Sequence, residues 1–378
     1  MEKLEQLKIS NTQQSSTSEG DPIPHDLLID IFLRVPSESI ARFRCVSKQW
    51  ASILGRQDFT DMFLKNSTSH PRLLFTVHEN GKLFFFSSPQ AQNPEADSSL
   101  VATRYRTFSL NSHHHGICPP TRGWLCFRGR AFQDTPVIFN PATGEYLALP
   151  KTTFARIYCG YDPIDKVSKV LCISVISNHH QVLTVETRKD LTWRTIECKP
   201  HDPSLCGHGI CIDGVLYYCT RVHKENVLLV SKLVCFDVRS EKFSFLNIDD
   251  ESMTLESTLI NYKGKPGVVQ FTDSDQSSLC LWLLEDAEKH EFSKHICEFP
   301  LWWEEMDSRP YYDIVGTTAG TCDILLSPYK LPDRLYVFYY NVERETLVRV
   351  EIQGQGLTFT NSILHTFQDY VEDVKLIM

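Results

Sequence analysis

The stretch that decides the N-terminal fold is PIPHDLLIDIFLRVPSESIARFRCVSKQWASILGRQDFTDMFLK, residues 22–65. Its apolar residues recur at helical spacing, and Pro24 suits the first turn of a helix. The pair Val35-Pro36 ends that helix, because the residue before a proline is pushed out of the α region. Ser47 is a suitable N-cap for a later helix. The stretch therefore predicts a set of short, closely spaced helices.

These helices carry more large apolar side chains than they can bury among themselves. A few short helices enclose only a small core. We therefore expect one apolar face of the module to remain open for another protein. A generic helical bundle without a partner is the alternative.

The same stretch resembles the F-box. Its Ile23-Pro24 stands where many members carry Leu-Pro, and the run Ile40–Trp50 is especially close to the plant form. The resemblance implies docking onto the Skp-type adaptor of a cullin–RING ubiquitin ligase. The residues that it assigns to adaptor binding are Ile23, Pro24, Leu27, Leu28, Ile31, Leu33, Val35, Pro36, Ile40, Phe43, Val46, Lys48 and Trp50.

The length and composition indicate one small module followed by one large domain. The chain has 378 residues, of which 42% are hydrophobic, enough for a full core. No apolar run approaches the roughly 18 residues that span a bilayer. Residues 1–20 are polar and lack the apolar core of a signal peptide, so they predict a disordered leader. We expect a protein of the nucleus or cytoplasm, or both, that is not secreted and does not contact a membrane.

The net charge bears on which partners the protein can bind, and the cysteines bear on its compartment. The net charge is −9, and almost all of it falls beyond residue 70, whereas nucleic acid requires a basic surface. We therefore expect no nucleic-acid partner. The 13 cysteines have no regular spacing and follow no signal peptide, which predicts free thiols in a reducing compartment.

After residue 70 the pattern changes to short alternating strands separated by turn residues. Asn80-Gly81 and Asp213-Gly214 are typical of tight hairpins, and strand–turn–strand units recur roughly every 40 to 60 residues. Six units, beginning near residues 72, 113, 155, 205, 257 and 312, predict a β-propeller. A leftover strand at 361–367 would close the ring on the first unit, and 89–102 read as a loop. A pair of β-sandwiches or an irregular β domain remains the alternative.

A second resemblance covers most of this large domain. Segments at 122–126, 139–145 and 160–163 are similar to the F-box-associated domain of plants, which is itself similar to kelch propellers. The predicted fold class is therefore mixed. An all-α F-box at 21–66 precedes an all-β domain at 71–370, predicted to be a six-bladed kelch-like β-propeller.

Several constellations could indicate a metal or catalysis. The run His113–His115, the pair His179-His180 and the segment Cys206–Cys211 bring metal-binding residue types together. Consecutive residues of an extended loop point in different directions, and no second Cys/His pair follows at zinc-finger spacing. The neighbouring carboxylates Glu304 and Glu305 do not indicate acid–base work, and no phosphate loop or nucleophile elbow is present. We expect no metal, no cofactor and no catalytic residues.

The sequence therefore predicts a non-enzymatic receptor that holds a target protein for ubiquitin transfer by other subunits. Its target-binding loops are predicted at 113–116, 178–181, 220–226 and 301–312. The last is richest in the residues that interface hot spots favour, so the predicted target-facing residues are Trp302, Trp303, Arg309 and Tyr311. Alternatively, both tryptophans pack the domain wall. Two other functions also remain open: an adaptor-binding protein that assembles no active ligase, and a propeller enzyme using carboxylates in its funnel.

Overall fold

The structure is a computed structural model. It describes residues 23–109, 114–129, 135–152, 156–173, 179–185, 191–199, 204–224, 228–248, 252–254, 256–306, 310–354 and 362–376. The predicted leader at 1–20 lies outside the described residues.

The N-terminal module consists of four helices: α1 (His25–Phe32), α2 (Ser37–Phe43), α3 (Lys48–Gly55) and α4 (Gln57–Ser69). Pro24 and Pro36 are the N-caps of α1 and α2. Ser47 is the N-cap of α3, as predicted, and its Oγ accepts a hydrogen bond from the backbone N of Trp50 at 3.1 Å. The helices close a small core whose fully buried side chains are Leu28, Phe32, Ile40, Ile53, Leu54, Phe59 and Phe63.

The rest of the described chain is almost entirely β-sheet, with one short helix, α5 (Leu301–Glu304). Its strands are β1 (Arg72–Glu79), β2 (Lys82–Pro89), β3 (Ser98–Val101), β4 (Thr103–Ser109), β5 (His114–Thr121), β6 (Trp124–Gly129), β7 (Val137–Phe139), β8 (Tyr146–Ala148), β9 (Arg156–Asp162), β10 (Val167–Ile173), β11 (His179–Val185), β12 (Arg194–Glu197), β13 (Ser204–Ile212), β14 (Val215–Lys224), β15 (Leu228–Asp237), β16 (Phe243–Ile248), β17 (Thr258–Tyr262), β18 (Lys265–Phe271), β19 (Ser278–Asp286), β20 (Glu291–Glu298), β21 (Tyr312–Thr317), β22 (Ile324–Pro328), β23 (Leu335–Asn341), β24 (Thr346–Gln353) and β25 (Leu364–Tyr370).

These strands form six sheets, and the predicted six-bladed β-propeller is confirmed. Blades 2 to 5 are successive four-stranded meanders, β5–β8, β9–β12, β13–β16 and β17–β20. The innermost strands β5, β9, β13, β17, β21 and β25 contact one another around the axis. Apolar side chains of adjacent blades form the core between them, as Trp282 and Leu246 do between blades 5 and 4.

The ring is closed by strand exchange at both ends of the domain. The last strand, β25, pairs antiparallel with β1 and supplies the inner strand of blade 1, as predicted. The sequence predicts a loop at 89–102, but this is wrong for Ser98–Val101, which form the strand β3. There β3 pairs parallel with β24 as a fifth, outer strand of blade 6, before β4 returns to blade 1 beside β2. Blades 1 and 6 therefore share backbone hydrogen bonds that leave no open seam.

The antiparallel meanders fix which connections lie on which face of the propeller. The inner-pair turns of blades 2 and 3, at 122–123 and 163–166, and the outer-pair turn of blade 2, at 140–145, lie beside the helical module. Thus Lys166 Nζ is 3.6 Å from the carboxylate of Asp61 on α4. We call this the helix face. The described middle turns of blades 1, 5 and 6, at 80–81, 272–277 and 329–334, lie on the opposite face, which we call the distal face.

Candidate interaction surfaces

One apolar stripe of the helical module faces solvent. Ile23, Leu27 and Ile31 are spaced four residues apart, so their side chains line one face along α1. All three are about half exposed, Leu27 at 53%. Their neighbours Leu28 and Phe32 point the other way, into the core. The module therefore separates its apolar residues into a buried set and an open set, as the sequence predicts.

The turn between α2 and α3 extends this surface. Val46 is 61% exposed, and Lys48 beside it is exposed as well. Gln49 Nε2 lies 3.1 Å from His25 Nε2, which brings the start of α3 next to the start of α1. We call the surface formed by Ile23, Leu27, Ile31 and Val46 the open apolar face.

The remaining predicted adaptor residues support this face from behind. Leu28 and Ile40 are buried in the helical core. Phe43 and Trp50 pack edge-on at 5.3 Å, and both contact the buried ring of Phe32. The other members of the set are partly buried or cap the helices: Pro24, Leu33, Val35 and Pro36. A substitution at Leu28 or Ile40 would therefore act on the fold of the module rather than on its surface alone.

The described parts of the four predicted target loops lie on the distal face. Residues 114–116, 301–306 and 310–312 begin or precede the inner strands of blades 2 and 6, and 179–181 and 220–224 belong to the middle strand pairs of blades 3 and 4. Because the helical module lies against the opposite face, the two predicted binding surfaces point away from each other. Several residues of these loops, among them His113, lie outside the described ranges.

The predicted target-facing residues of the 301–312 loop divide into two kinds. Trp303 is fully buried, and its indole Nε1 donates to the carbonyl of Gln276 at 2.7 Å. It packs against Phe338 and Tyr312, so its assignment to the target surface is wrong. The two adjacent tryptophans both lie in the single turn of α5, which directs Trp303 inward and leaves Trp302 partly exposed.

Trp302 and Tyr311 are the members that reach solvent. Trp302 is 38% exposed and Tyr311 is 52% exposed. The backbone N of Tyr329 donates to the carbonyl of Tyr311 at 2.9 Å. This bond places a second tyrosine with an exposed side chain beside Tyr311. Arg309 lies outside the described residues. The surface aromatic group on this part of the distal face is therefore Trp302, Tyr311 and Tyr329.

A pair of carboxylates lies next to Tyr311. Burial, and to a smaller extent the neighbouring carboxylate of Glu256, together raise the pKa of Asp313 to about 6. Glu256 also interacts with the Tyr311 hydroxyl. Sequence reasoning missed this pair, because the two residues are far apart in the chain and meet only where blades 4, 5 and 6 converge. Such a pair favours a cationic group on whatever binds here.

The candidate metal clusters can be followed only in part, because the side chains of His113, His114 and His115 lie outside the described residues. Within the described part of the chain, no three His, Cys, Asp or Glu side chains are placed to hold one ion. His180 is buried with its ring 5.7 Å from that of Phe243. Cys211 lies in the wall of blade 4, where its thiol accepts from the backbone N of Tyr161 at 3.4 Å. The side chain of Cys206 is outside the described set.

The twelve cysteines whose side chains are described are all free thiols. Cys45, in the turn before α3, is exposed, whereas seven of the twelve are buried. Burial raises the pKa of Cys172 and of Cys211 to about 12. The buried thiols therefore act as small core residues.

The junction between the two modules contains a cavity. It has a volume of about 450 Å³ and is lined by α4, by the turns 121–124 and 165–170, and by residues 373–376. A smaller cavity of about 290 Å³ adjoins it between blades 2, 3 and 4. The guanidinium of Arg122 lies over the ring of Tyr161, 4.2 Å from its centroid, and lines both cavities. Among the described residues, no helix is long and apolar enough to cross a bilayer.

Comparisons with known proteins agree with both parts of this architecture. Residues 22–61 match the F-box domain, and residues 72–371 match the F-box associated beta propeller domain. The chain is 46% identical to F-box protein At1g53790 of Arabidopsis thaliana, over 94% of this chain and 82% of that protein. It is 42% identical to F-box protein At5g65850, over 97% and 93%, and 42% identical to F-box protein DOR, over 94% and 94%, both of the same plant.

Proposed function

Because this chain belongs to the F-box proteins that carry an F-box-associated β-propeller, we propose that it is the substrate-recognition subunit of an SCF-type cullin–RING ubiquitin ligase. The F-box binds a Skp-type adaptor, and the distal face of the propeller binds a target protein. Ubiquitin transfer then rests on proximity, because binding raises the effective concentration of target lysines near the ubiquitin carrier. The chain itself contributes no catalytic group.

The observation that carries the adaptor half of this proposal is the open apolar face. Ile23, Leu27 and Ile31, which share one side of α1, are exposed together with Val46, although the other large apolar side chains of the helices are buried in a core. Exposed apolar side chains clustered on one face of a small module are typical of a protein-binding surface. A docking partner that buries Leu27 and Ile31 gains the apolar area that the fold leaves in water.

The target half is supported by the direction of the distal face and by its chemistry. Its exposed aromatic residues, Trp302, Tyr311 and Tyr329, are of the types that dominate interface energies. The carboxylates of Glu256 and Asp313 beside them complement a basic segment. We therefore propose a target segment that combines lysine or arginine with an apolar or aromatic residue.

The carboxylate pair also bears on the alternative of a propeller enzyme. A perturbed carboxylate is a feature of catalytic sites, and Asp313 lines neither of the two cavities described above. The receptor role accounts for both surfaces, whereas an enzyme would need only the propeller.

Assembly of the ligase tests the proposal and separates it from an adaptor-binding protein outside a ligase. The full chain is incubated with purified adaptor, cullin and RING subunit, and the complex is analysed by size-exclusion chromatography. We expect one stoichiometric complex. A complex with the adaptor that excludes the cullin would favour the alternative. No complex with the adaptor would refute the proposal.

The target is found by proximity labelling in the source organism with ligase activity blocked. Labelled proteins are compared between the intact chain and a Tyr311→Ala, Tyr329→Ala variant that retains the F-box. The target is expected among proteins enriched by the intact chain and depleted by the variant. Identical labelling by both chains would remove the distal aromatic group from the target site.

A further inference from the structure

The last described residues of the chain, 371–376, leave the propeller after β25 and run between blade 2 and the helices. We call this segment the tail. It follows the strand that closes the ring, so its starting point is fixed by the backbone pairing of β25 with β1. The family match of the propeller ends at residue 371, and the F-box match ends at residue 61. Neither match covers the rest of the tail.

Val374 of the tail is part of the F-box core. Its side chain is fully buried in the same cluster as Leu28, Phe32, Ile40 and Phe63. The other members of that cluster all come from α1 to α4. The helical module therefore completes its core with a side chain that lies more than three hundred residues further along the chain.

Arg44 ties the tail to the helices through the backbone. Its Nη2 donates to the carbonyl of Val374 at 2.6 Å and to the carbonyl of Leu54 in α3 at 3.0 Å. Burial lowers the pKa of this guanidinium, because removing its charge from water is unfavourable. The two hydrogen bonds to backbone carbonyls offset part of that cost. A second link joins the backbone N of Glu372 to the Oγ of Ser67 on α4, at 2.7 Å.

The other side of the tail is held by blade 2. Asn140 Nδ2 donates to the carbonyl of Asp373 at 2.7 Å, in a fully buried hydrogen bond. Gly123, at φ +79°, approaches so closely that a Cβ there would lie 2.8 Å from the carbonyl oxygen of Val371. The tail is thus bonded to helices on one side and to propeller turns on the other.

We propose that the tail is a fifth element of the adaptor-binding module, and that Val374 and Arg44 are positioning residues for adaptor docking. The effect on adaptor docking rests on the proposed function, whereas the packing of the tail into the helical core does not depend on it. Val374 and the Arg44 bond hold α1 and α3 in the relative position that presents the open apolar face. The same contacts aim the propeller, so that its distal face points away from the adaptor.

The test uses the full chain with three single substitutions in the tail. Val374→Asp places a charge in the F-box core, Val374→Ile keeps a branched apolar side chain, and Lys375→Ala alters the exposed neighbour. Hydrogen–deuterium exchange reports the protection of α1 to α4 and, as an internal control, of the propeller strands. Affinity for the purified Skp-type adaptor is measured on the same samples.

We expect Val374→Asp to raise exchange throughout α1 to α4 and to weaken adaptor binding at least about tenfold, with the strands of blades 3 to 5 unchanged. Val374→Ile and Lys375→Ala should match the wild type in both measurements. A chain truncated after Tyr370 should behave as Val374→Asp does, and a peptide of residues 371–376 added in excess should restore part of the protection.

Helix protection in the truncated chain equal to that of the wild type would overturn the inference. Loss of protection without loss of adaptor affinity would also overturn it, because the tail would then be structural only. If the wild-type chain fails to bind any adaptor, the proposed function fails. In that case the exchange data still decide whether the tail belongs to the helical core, and wild-type protection in the variants overturns that claim as well.

Discussion

Replacement of Trp303 by alanine should destabilise the propeller strongly, whereas the same change at Trp302 should not. Trp303 is fully buried between blades 5 and 6, with its ring 5.0 Å from that of Phe299 and 5.0 Å from that of Phe338. Truncating a buried tryptophan to alanine costs about 3–5 kcal/mol. The carbonyl of Gln276 also loses its indole donor, which adds about 1–3 kcal/mol if no water replaces it.

Trp302 provides the matched comparison one residue away. Its ring is partly exposed and lies 6.2 Å from that of Phe338, so alanine there should cost about 1–2 kcal/mol. Trp303→Phe keeps one six-membered ring in the core but removes the indole N–H and the volume of the five-membered ring. The lost hydrogen bond should cost about 1–3 kcal/mol, and the remaining cavity, smaller than that of the alanine variant, adds to it.

Urea unfolding of the three variants, followed by far-UV circular dichroism, measures these differences as shifts in midpoint. The expected order of destabilisation is Trp303→Ala, then Trp303→Phe, then Trp302→Ala. Equal midpoints for the two alanine variants would refute the assignment of Trp303 to the wall. Under the proposed function only Trp302→Ala lowers target affinity per folded molecule.

The titration of Asp313, the reactivity of Cys45 and the close approach at Gly123 can each be tested separately. Between the unfolded pKa of Asp313, about 3.9, and its folded pKa, about 6, the folded state binds the extra proton, so the unfolding free energy falls as pH rises from about 4 to 6 and stays lower above. Asp313→Asn should lack this fall, so its melting temperature should exceed that of the wild type by a margin that grows up to pH 7. Burial lowers the pKa of His365 to about 4, which makes the unfolding free energy rise with pH. This rise is the same in both proteins and therefore cancels in the comparison. In native alkylation followed by mass spectrometry, Cys45 should react first and Cys172 only on unfolding, and a stoichiometric disulfide in unreduced protein would contradict the free thiols. Gly123→Ala should lower the melting temperature through the positive φ and the clash with Val371, whereas Gly55→Ala, with open space at its Cβ, should not; equal effects would show that the tail does not press on this turn.

Local patterns in the sequence were sufficient for the helices, the blades and the ring closure. Ser47 and the two prolines mark helix starts through interactions within one turn, and hairpins such as Asn80-Gly81 depend on neighbouring residues only. The closing strand could be predicted because a single strand was left over after six units had been counted. The open apolar face could be predicted as well, since residues at intervals of four along a helix share a face.

What the sequence did not reveal depends on contacts between distant residues. The strand β3 is four residues long and has no pattern of its own, and it is ordered by pairing with β24, some 250 residues away. Val374 joins the F-box core through a similarly distant contact, and the short run around it predicts neither strand nor helix. The opposite roles of Trp302 and Trp303 depend on one turn of α5, which composition alone cannot orient.

The most direct test of the central claim is the affinity of the full chain for a Skp-type adaptor, measured by isothermal titration calorimetry with and without the open apolar face. The double variant Leu27→Asp, Ile31→Asp replaces two side chains that are about half exposed in the free wild-type chain. The apolar area that the adaptor would still bury on them is therefore worth about 2–3 kcal/mol for the pair. Two buried carboxylates add to that loss. The account predicts stoichiometric binding by the wild type and by the matched control Ile296→Asp, an exposed apolar residue of blade 5. It predicts a loss of about a hundredfold or more in the double variant. Wild-type affinity in that double variant, with its helices intact, would contradict the account.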